Sequence, residues 1–328
     1  SSFTTDTSFP ITIEPLATGI INIEANNTTL GYVEDAMEID SDDLPEGISV
    51  YLFGNATENY FLNGNLSGEY PVATYRISGD LTVADGDTAY LDAGTEFLFE
   101  GQYNFNIYGT LKAIGTESDS IIFDNYGDER WRGFTLDNAS DDTEFEYVRI
   151  SGAEKDDGGG MRLVDSNPIL NNVTISNNTV DMNGGGMSLS FSSNPTLNNV
   201  TITDNTVVYG FGGGMYLDDS NPILNNATIS NNTAEFGSGM LLGNSNPILN
   251  NVTISNNTAY YGGGGMSLVT SNPILNNVTI SNNTAEDDSG GGMYLYSSNP
   301  TLLNSIIWDN SPESIYLYLD EQPIIAYS

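Results

Sequence analysis

The side chains in this sequence best suited to acid–base chemistry are carboxylates. The chain has 44 Asp and Glu residues and 7 Lys and Arg residues, with no Cys and no His. Thiol catalysis and imidazole proton transfer are therefore excluded. Asp218 and Asp219 are the one adjacent acidic pair expected on a regular strand. Glycoside hydrolysis needs two carboxylates about 5 to 10 Å apart across a cleft, and no second partner can be located, so we expect an exposed pair without a catalytic role.

Short acidic clusters could bind a hard cation, because Ca²⁺ takes six to eight oxygen ligands. None of these clusters has the spacing of a known calcium loop. Solvated loops are the simpler interpretation, no cofactor is expected, and Ca²⁺ remains the alternative, with Asp156 and Asp157 as the candidate ligands. The clusters are Asp42–Asp43, Asp141–Asp142, Asp156–Asp157 and Glu286–Asp288.

Aromatic residues recur at related positions and could stack on sugar rings or contact another protein. A first group precedes the glycine runs of three successive copies of a repeat: Tyr209, Phe211, Phe236, Tyr260 and Tyr261. A second group, Tyr216 and Tyr294, follows the methionine of two copies. If the copies stack, each group forms a ladder. Stabilisation of the loops between copies is the alternative to ligand binding, and the sequence leaves both open.

The repeat itself is clearest in GGGGMSLVTSNPILNNVTISNNTA, from Gly262 to Ala285. Its methionines recur at intervals of 25 to 28 residues: Met161, Met187, Met215, Met240, Met266 and Met293. Such a regular period is typical of a solenoid, in which each unit buries its apolar residues against its neighbours. Glycine runs, Asn-Pro and Asn-Asn-Thr turns leave no room for helices.

Apolar residues alternate with polar ones within each copy, which predicts short strands. In one copy, Met266, Leu268 and Leu275 are expected to be core residues, while Ile274 is expected to point outward. Three short strands in about 26 residues fit an all-β, right-handed parallel β-helix with coils about 4.8 Å apart. Six regular copies and about three irregular coils before them predict about nine coils.

The GGGM…SNPxLNNxTIxxNT phrase, from Gly158 to about Asn310, resembles the repeats of the pectate-lyase-like β-helix superfold. It is most similar to surface proteins with repeats of the polymorphic outer-membrane-protein type. The resemblance implies an architecture and several functions. Lyases of this superfold use acidic calcium ligands with an Arg or Lys base, and its glycosidases use clustered aspartates with a nearby His. No basic residue follows Arg162, so we expect a non-enzymatic protein, with a polysaccharide lyase or hydrolase as the least favoured interpretation.

The formal net charge of −37 argues against nucleic acid as a partner, because the field of the protein repels phosphate. No apolar run is long enough for a membrane-spanning helix. The acidic, Cys-free, Ser- and Asn-rich composition, with an opening that resembles a mature sequence after signal-peptide removal, predicts a secreted or cell-surface location.

Four segments are predicted. They are residues 1–70, a β extension or cap; 71–157, irregular first coils; 158–310, six regular repeats; and 311–328, a C-terminal strand with an open edge. An open edge invites strand pairing. The N-terminal segment supplies a candidate donor strand with Ile11, Ile13, Ile20, Ile21 and Ile23. We therefore expect an extracellular fibre subunit that self-associates head to tail by strand addition, with a glycan-binding adhesin as the alternative.

Overall fold

The computed structural model describes residues 2–5, 23–26, 31–41, 44–56, 60–287, 289–319 and 321–326. The chain divides between residues 59 and 60 into two compact units. Within the described residues every regular element is a β-strand. The all-β fold class predicted from the sequence is therefore confirmed.

The N-terminal unit contains two antiparallel pairs. Ser2–Thr5 pairs with Ile23–Asn26, and Gly31–Ser41 pairs with Leu44–Ala56. Most of the acidic stretch that begins at Val33 belongs to a strand, Gly31–Ser41. Its sequence explains the result, since Val33, Met37 and Ile39 share the odd positions of a period-two alternation. Of the candidate donor residues, Ile11, Ile13, Ile20 and Ile21 lie outside the described residues, and Ile23 begins a strand.

The solenoid begins at Tyr60, eleven residues before residue 71, where the sequence placed the first coils. Its first strand, Tyr60–Asn65, runs parallel to Thr74–Val83. Short parallel strands follow through the irregular coils. They are Gly68–Tyr70, Thr88–Leu91, Glu96–Phe99, Phe105–Ile107, Thr110–Ile114, Ile121–Asn125, Phe134–Asp137, Glu144–Glu146, Val148–Ser151 and Glu154–Asp157.

Each regular coil adds one strand to each of three parallel stacks. We name these stacks after the inward residue of their strands. The Met sheet contains Met161–Val164, Met187–Ser190, Met215–Asp218, Met240–Gly243, Met266–Val269, Met293–Tyr296 and finally Ile315–Leu317. The Leu sheet contains Ile169–Asn171, Thr196–Asn198, Ile223–Asn225, Ile248–Asn250, Ile274–Asn276, Thr301–Leu303 and Ile324–Ala326. The Ile sheet contains Thr174–Ser176, Thr201–Thr203, Thr228–Ser230, Thr253–Ser255, Thr279–Ser281 and Ile306–Trp308.

A fourth, short stack was not expected from the sequence. We call it the side sheet: Glu154–Asp157, Thr179–Asn183, Thr206–Val207, Thr233–Phe236, Thr258–Gly262 and Thr284–Ala285. Its Thr-Val and Thr-Ala pairs lie between an Asn turn and a glycine run and are too short to show a period. The regular coils thus have four strands rather than three, and the solenoid has about ten turns rather than nine.

The core consists of columns of identical residues along the solenoid. Met266, Leu268 and Leu275 are buried and Ile274 is exposed, so the predicted inward and outward positions are confirmed. In the irregular coils the same space is filled by aromatic residues. The ring centroids of Phe99 and Trp131, for example, are 4.2 Å apart. One continuous core therefore runs along the solenoid.

Buried asparagines connect the coils at the corner before the side sheet. The Nδ2 of Asn205 donates to Oδ1 of Asn232 at 3.1 Å, and the Nδ2 of Asn232 donates to Oδ1 of Asn257 at 3.0 Å. Each Nδ2 also donates to a main-chain carbonyl, such as that of Ile202 at 3.0 Å. Because each amide is fully paired, these polar side chains can be buried at little cost.

Candidate functional site

The side sheet places the first aromatic group along one side of the solenoid. Phe211 and Phe236 have ring centroids 5.8 Å apart, and the rings of Phe236 and Tyr261 are stacked at 5.0 Å. Tyr216 closes one end of this ladder at 6.4 Å from Phe211. Tyr260 lies edge-on to Tyr261 at the other end, at 4.7 Å.

The geometry of the ladder limits what it can bind. In stacked rings, each face is covered by the neighbouring ring and is less accessible to a ligand. Such contacts stabilise the loops that carry the rings. Tyr209 and Tyr260 are different, with 73% and 54% of their surfaces exposed. These two tyrosines are the members of the group that remain most open to a ligand.

The second aromatic group is not a continuous ladder. Tyr216 and Tyr294 occupy the same outward column of the Met sheet, but Leu241 and Ser267 lie between them. Tyr294 stacks instead on Tyr316, at 5.3 Å and an interplanar angle of 7°.

The neighbouring column adds a second ring contact at this end of the solenoid, because Tyr296 contacts Tyr318 at 5.0 Å. Sequence reasoning missed Tyr316 and Tyr318. The similarity between Met293–Tyr296 (MYLY) and Ile315–Tyr318 (IYLY) was the signal that could have found them.

A cationic groove, also missed by sequence reasoning, lies where the irregular coils meet the regular ones. Its volume is about 590 Å³, and its lining residues are Gln102, Asn104, Arg132, Thr135, Lys155, Asp156, Asp157 and Arg162. Strand pairing in the Met sheet places Arg162 directly beside Thr135. Lys155 reaches the same place from the side sheet. Three of the seven basic residues of the chain therefore converge here.

Lys155 is the most perturbed of these groups. Its Nζ donates to the carbonyl oxygen of Phe134 at 3.1 Å and to Oγ1 of Thr135 at 3.2 Å. Burial, with a further contribution from the Arg162 guanidinium, lowers the pKa of Lys155 to about 7. The ammonium therefore titrates close to neutral pH.

Asp156 and Asp157, the candidate calcium ligands, both line this groove. The Nε of Arg162 donates to Oδ2 of Asp157 at 3.2 Å, so the charge of this carboxylate is already matched by a cation. No group of three or more acidic side chains suited to a metal ion occurs among the described residues.

Asp218 and Asp219 lie elsewhere, at the end of a Met-sheet strand. Partial burial and the Asp219 carboxylate raise the pKa of Asp218. Asp219 has a positive φ of 50° and so forms the turn after the strand.

The last coil exposes positions that are buried in the coils before it. Leu317 pairs with Leu295, and Ile325 pairs with Leu302. Leu295 and Leu302 are buried, whereas Leu317 and Ile325 are 43% and 52% exposed. Trp308 is also exposed on the adjoining strand. Residues 306–326 therefore present an apolar surface with strand edges, which we call the C-terminal face.

The stacked parallel coils and their repeated columns define a β-solenoid, with exposed aromatic rings along its side and exposed apolar side chains on its last coil. The family model described as "Right handed beta helix region" matches residues 77–234, 118–277 and 225–328. The chain therefore belongs to the right-handed β-helix family, and the predicted architecture is confirmed. No curated protein and no solved structure matches the chain. Among the described residues, no helix has the length and apolarity to cross a membrane.

Proposed function

We propose that this β-helix is a non-enzymatic structural protein of the cell exterior that associates head to tail through its C-terminal face. The observation that carries the proposal is the exposure of Ile325, which continues a column of buried leucines. Because Ile325 is already half covered, covering the rest of it contributes roughly 1 kcal/mol, about half the value for a fully exposed side chain. The face is thus suited to burial against another β-structure.

The edges of the last coil supply the hydrogen-bonding groups for this contact. Ile315–Leu317 and Ile324–Ala326 each pair with the preceding coil on one side. Among the described residues, Ile315–Leu317 pairs with no strand other than Met293–Tyr296. Added strands satisfy main-chain donors and acceptors and place alternate side chains in apolar positions.

A second copy is the partner that we propose, because the chain offers its own alternating segment. The residues from Ile11 to Glu24 contain the runs ITIE and GIINIE. The expected product is an end-to-end filament.

Negative-stain electron microscopy of the full chain tests the proposal. We expect filaments one solenoid wide for the wild type and single particles for the Ile11→Glu, Ile13→Glu double variant. The matched control is Thr28→Glu, Thr29→Glu, which adds the same charge just outside the donor segment. Filaments that persist in the isoleucine double variant would show that another segment is the donor, and single particles for the wild type would contradict head-to-tail association.

Glycan binding at the side of the solenoid is a second candidate function. Tyr209 and Tyr260 favour it, because they are 73% and 54% exposed, more than any residue of the stacked ladder. Retention on glycan-coated resins should fall in the Tyr209→Ala, Tyr260→Ala variant. Tyr318→Ala removes an exposed tyrosine outside the ladder and serves as the control. Equal retention of all three proteins would reject this candidate.

A further inference from the structure

The cationic groove contrasts with the rest of the molecule. Four of the seven basic residues form ion pairs: Arg76 with Glu100, Lys112 with Glu144, Arg130 with Glu154 and Arg162 with Asp157. Arg132, Arg149 and Lys155 form none among the described residues. Arg132 and Lys155 both line the groove.

The hydrogen bonds of these cations leave donors unused. The Nη2 of Arg132 donates to the neutral Oε1 of Gln102 at 2.8 Å. Lys155 uses two of its three N–H donors on neutral oxygens. Arg162 uses Nε on Asp157, and its two terminal nitrogens make no hydrogen bond within the described part of the chain.

We propose that this groove is an anion-binding site, in which Arg132, Lys155 and Arg162 together hold one carboxylate, sulfate or phosphate group of a ligand. Guanidinium forks match the geometry of such oxyanions, and charge-assisted hydrogen bonds to them are about twice as strong as neutral ones. The amides of Gln102 and Asn104 and the hydroxyl of Thr135 line the same groove. They can pair with neutral hydroxyl groups beside the anionic group.

The electrostatics of the groove support this assignment. Burial lowers the pKa of Lys155 most; Arg162 and Arg132 lower it further, and Asp157 opposes them. An oxyanion between the three cations would relieve this repulsion and raise the pKa of the ammonium. The neighbouring carboxylates do not cancel the positive charge of the groove. Asp157 is paired with Arg162, which leaves the single negative charge of Asp156 beside the two cations Arg132 and Lys155.

Selectivity follows from the surroundings of the groove. A net charge of −37 disfavours anions at most of the surface. Binding at one local cationic site is therefore expected to be saturable, with one anion per chain. This inference is independent of head-to-tail association, since the groove is formed by residues 102–162 and the C-terminal face by residues 306–326.

Isothermal titration calorimetry of the full chain with sodium acetate, sulfate and phosphate, at constant ionic strength in chloride, tests the site. We expect saturable binding of at least one of the three anions, and the order of their affinities identifies the group that fits. Arg132→Gln and Lys155→Gln should each weaken that binding roughly tenfold or more, since each removes a charged hydrogen bond. Arg149→Gln, an exposed arginine outside the groove, is the matched control and should bind as the wild type does.

The pH dependence of the anion affinity provides a second test. If Lys155 only supported the fold, its protonation would not change this affinity. Wild-type affinity should fall as the pH rises from 6 to 8.5, because Lys155 loses its proton near pH 7, whereas Lys155→Gln should show a much flatter profile. No saturable binding by any of the three anions, or equal loss in Arg149→Gln, would overturn the proposal. Circular dichroism of each variant establishes that it is folded.

Discussion

Ile325 lies beside Leu302 in the Leu sheet and continues its column, yet its side chain is 52% exposed while Leu302 is 1% exposed. The two residues occupy the same place within the coil and differ only in their coverage. Leu302 is covered by the next strand, and Ile325 has no strand over it among the described residues. An aliphatic side chain at the same position of the coil is therefore part of the core in one coil and part of the surface in the next. This relationship is the physical basis of the proposed assembly.

The asparagine ladder should be essential for stability. Asn232→Ala would remove the acceptor of the Asn205 main-chain N–H and of its Nδ2, and it would also leave the carbonyl of Ile202 without its donor. Each buried group left unpaired costs about 1–3 kcal/mol, so we expect a loss of roughly 3 kcal/mol or more in urea unfolding. Asn246→Ala, in an exposed Asn row, should cost about 1 kcal/mol or less. Equal effects would refute a special role for burial.

The glycine runs should be required for close packing of the coils. A Cβ at Gly186 would lie 2.6 Å from Cγ2 of Ile202 and 2.7 Å from the carbonyl oxygen of Gly214. Overpacking of this kind costs about 1–3 kcal/mol, and Gly186→Ala should lower the thermal unfolding midpoint. Gly243→Ala is the control, because its Cβ would meet no atom closer than 3.6 Å. That variant should unfold at the wild-type temperature or slightly above it.

The stacked aromatic ring of Phe236 should contribute to stability. Phe236→Ala removes ring contacts with both Phe211 and Tyr261, each worth about 0.5–1.5 kcal/mol beyond the buried area. We expect a destabilisation of about 1–3 kcal/mol. Tyr209→Ala, at an exposed position, should change stability by about 0.5 kcal/mol or less. If Phe236→Ala left the free energy of unfolding unchanged, the stacked rings would not stabilise the fold, and this prediction would be wrong.

The lowered pKa of Lys155 should make stability depend on pH. The unfolded chain keeps this ammonium protonated up to about pH 10.4, while the folded protein loses the proton near pH 7. Between these values the unfolded state binds more protons, so this residue makes stability rise with pH from about 7 to 10. Below pH 7, Lys155 is protonated in both states, and the cost of burying its ammonium lowers the stability of the folded protein in full.

Lys155→Gln is the corresponding test. Relative to the wild type, it should be most stabilising near pH 6 and progressively less so toward pH 10, as measured by urea unfolding across this range. Arg149→Gln should shift the stability by the same amount at each pH. A constant difference between Lys155→Gln and wild type would contradict a perturbed ammonium.

Sequence reasoning succeeded where the repeat gave each position several independent copies. The alternation around Met266 and Leu268 recurs in six coils, so inward and outward positions could be assigned. The expected stacking of Phe236 on Tyr261 follows from the same register. The fourth strand was missed because a Thr-Ala pair such as Thr284–Ala285 is too short to reveal a period.

The cationic groove could not be predicted in the same way. Arg132 and Lys155 come from the irregular coils and Arg162 from the first regular copy, and none of the three recurs in the later copies. Their convergence depends on the pairing of Phe134–Asp137 with Met161–Val164 and on the position of the side sheet. No local pattern encodes that register.

Sedimentation velocity over a range of protein concentrations tests the central claim most directly. The wild type should form species larger than a monomer in a concentration-dependent way, and Ile325→Glu should remain a monomer at every concentration. Ile274→Glu places the same charge at an exposed isoleucine on the side of the Leu sheet and should associate like the wild type. A wild type that stays monomeric at all concentrations, or an Ile325→Glu variant that associates as the wild type does, would contradict the account.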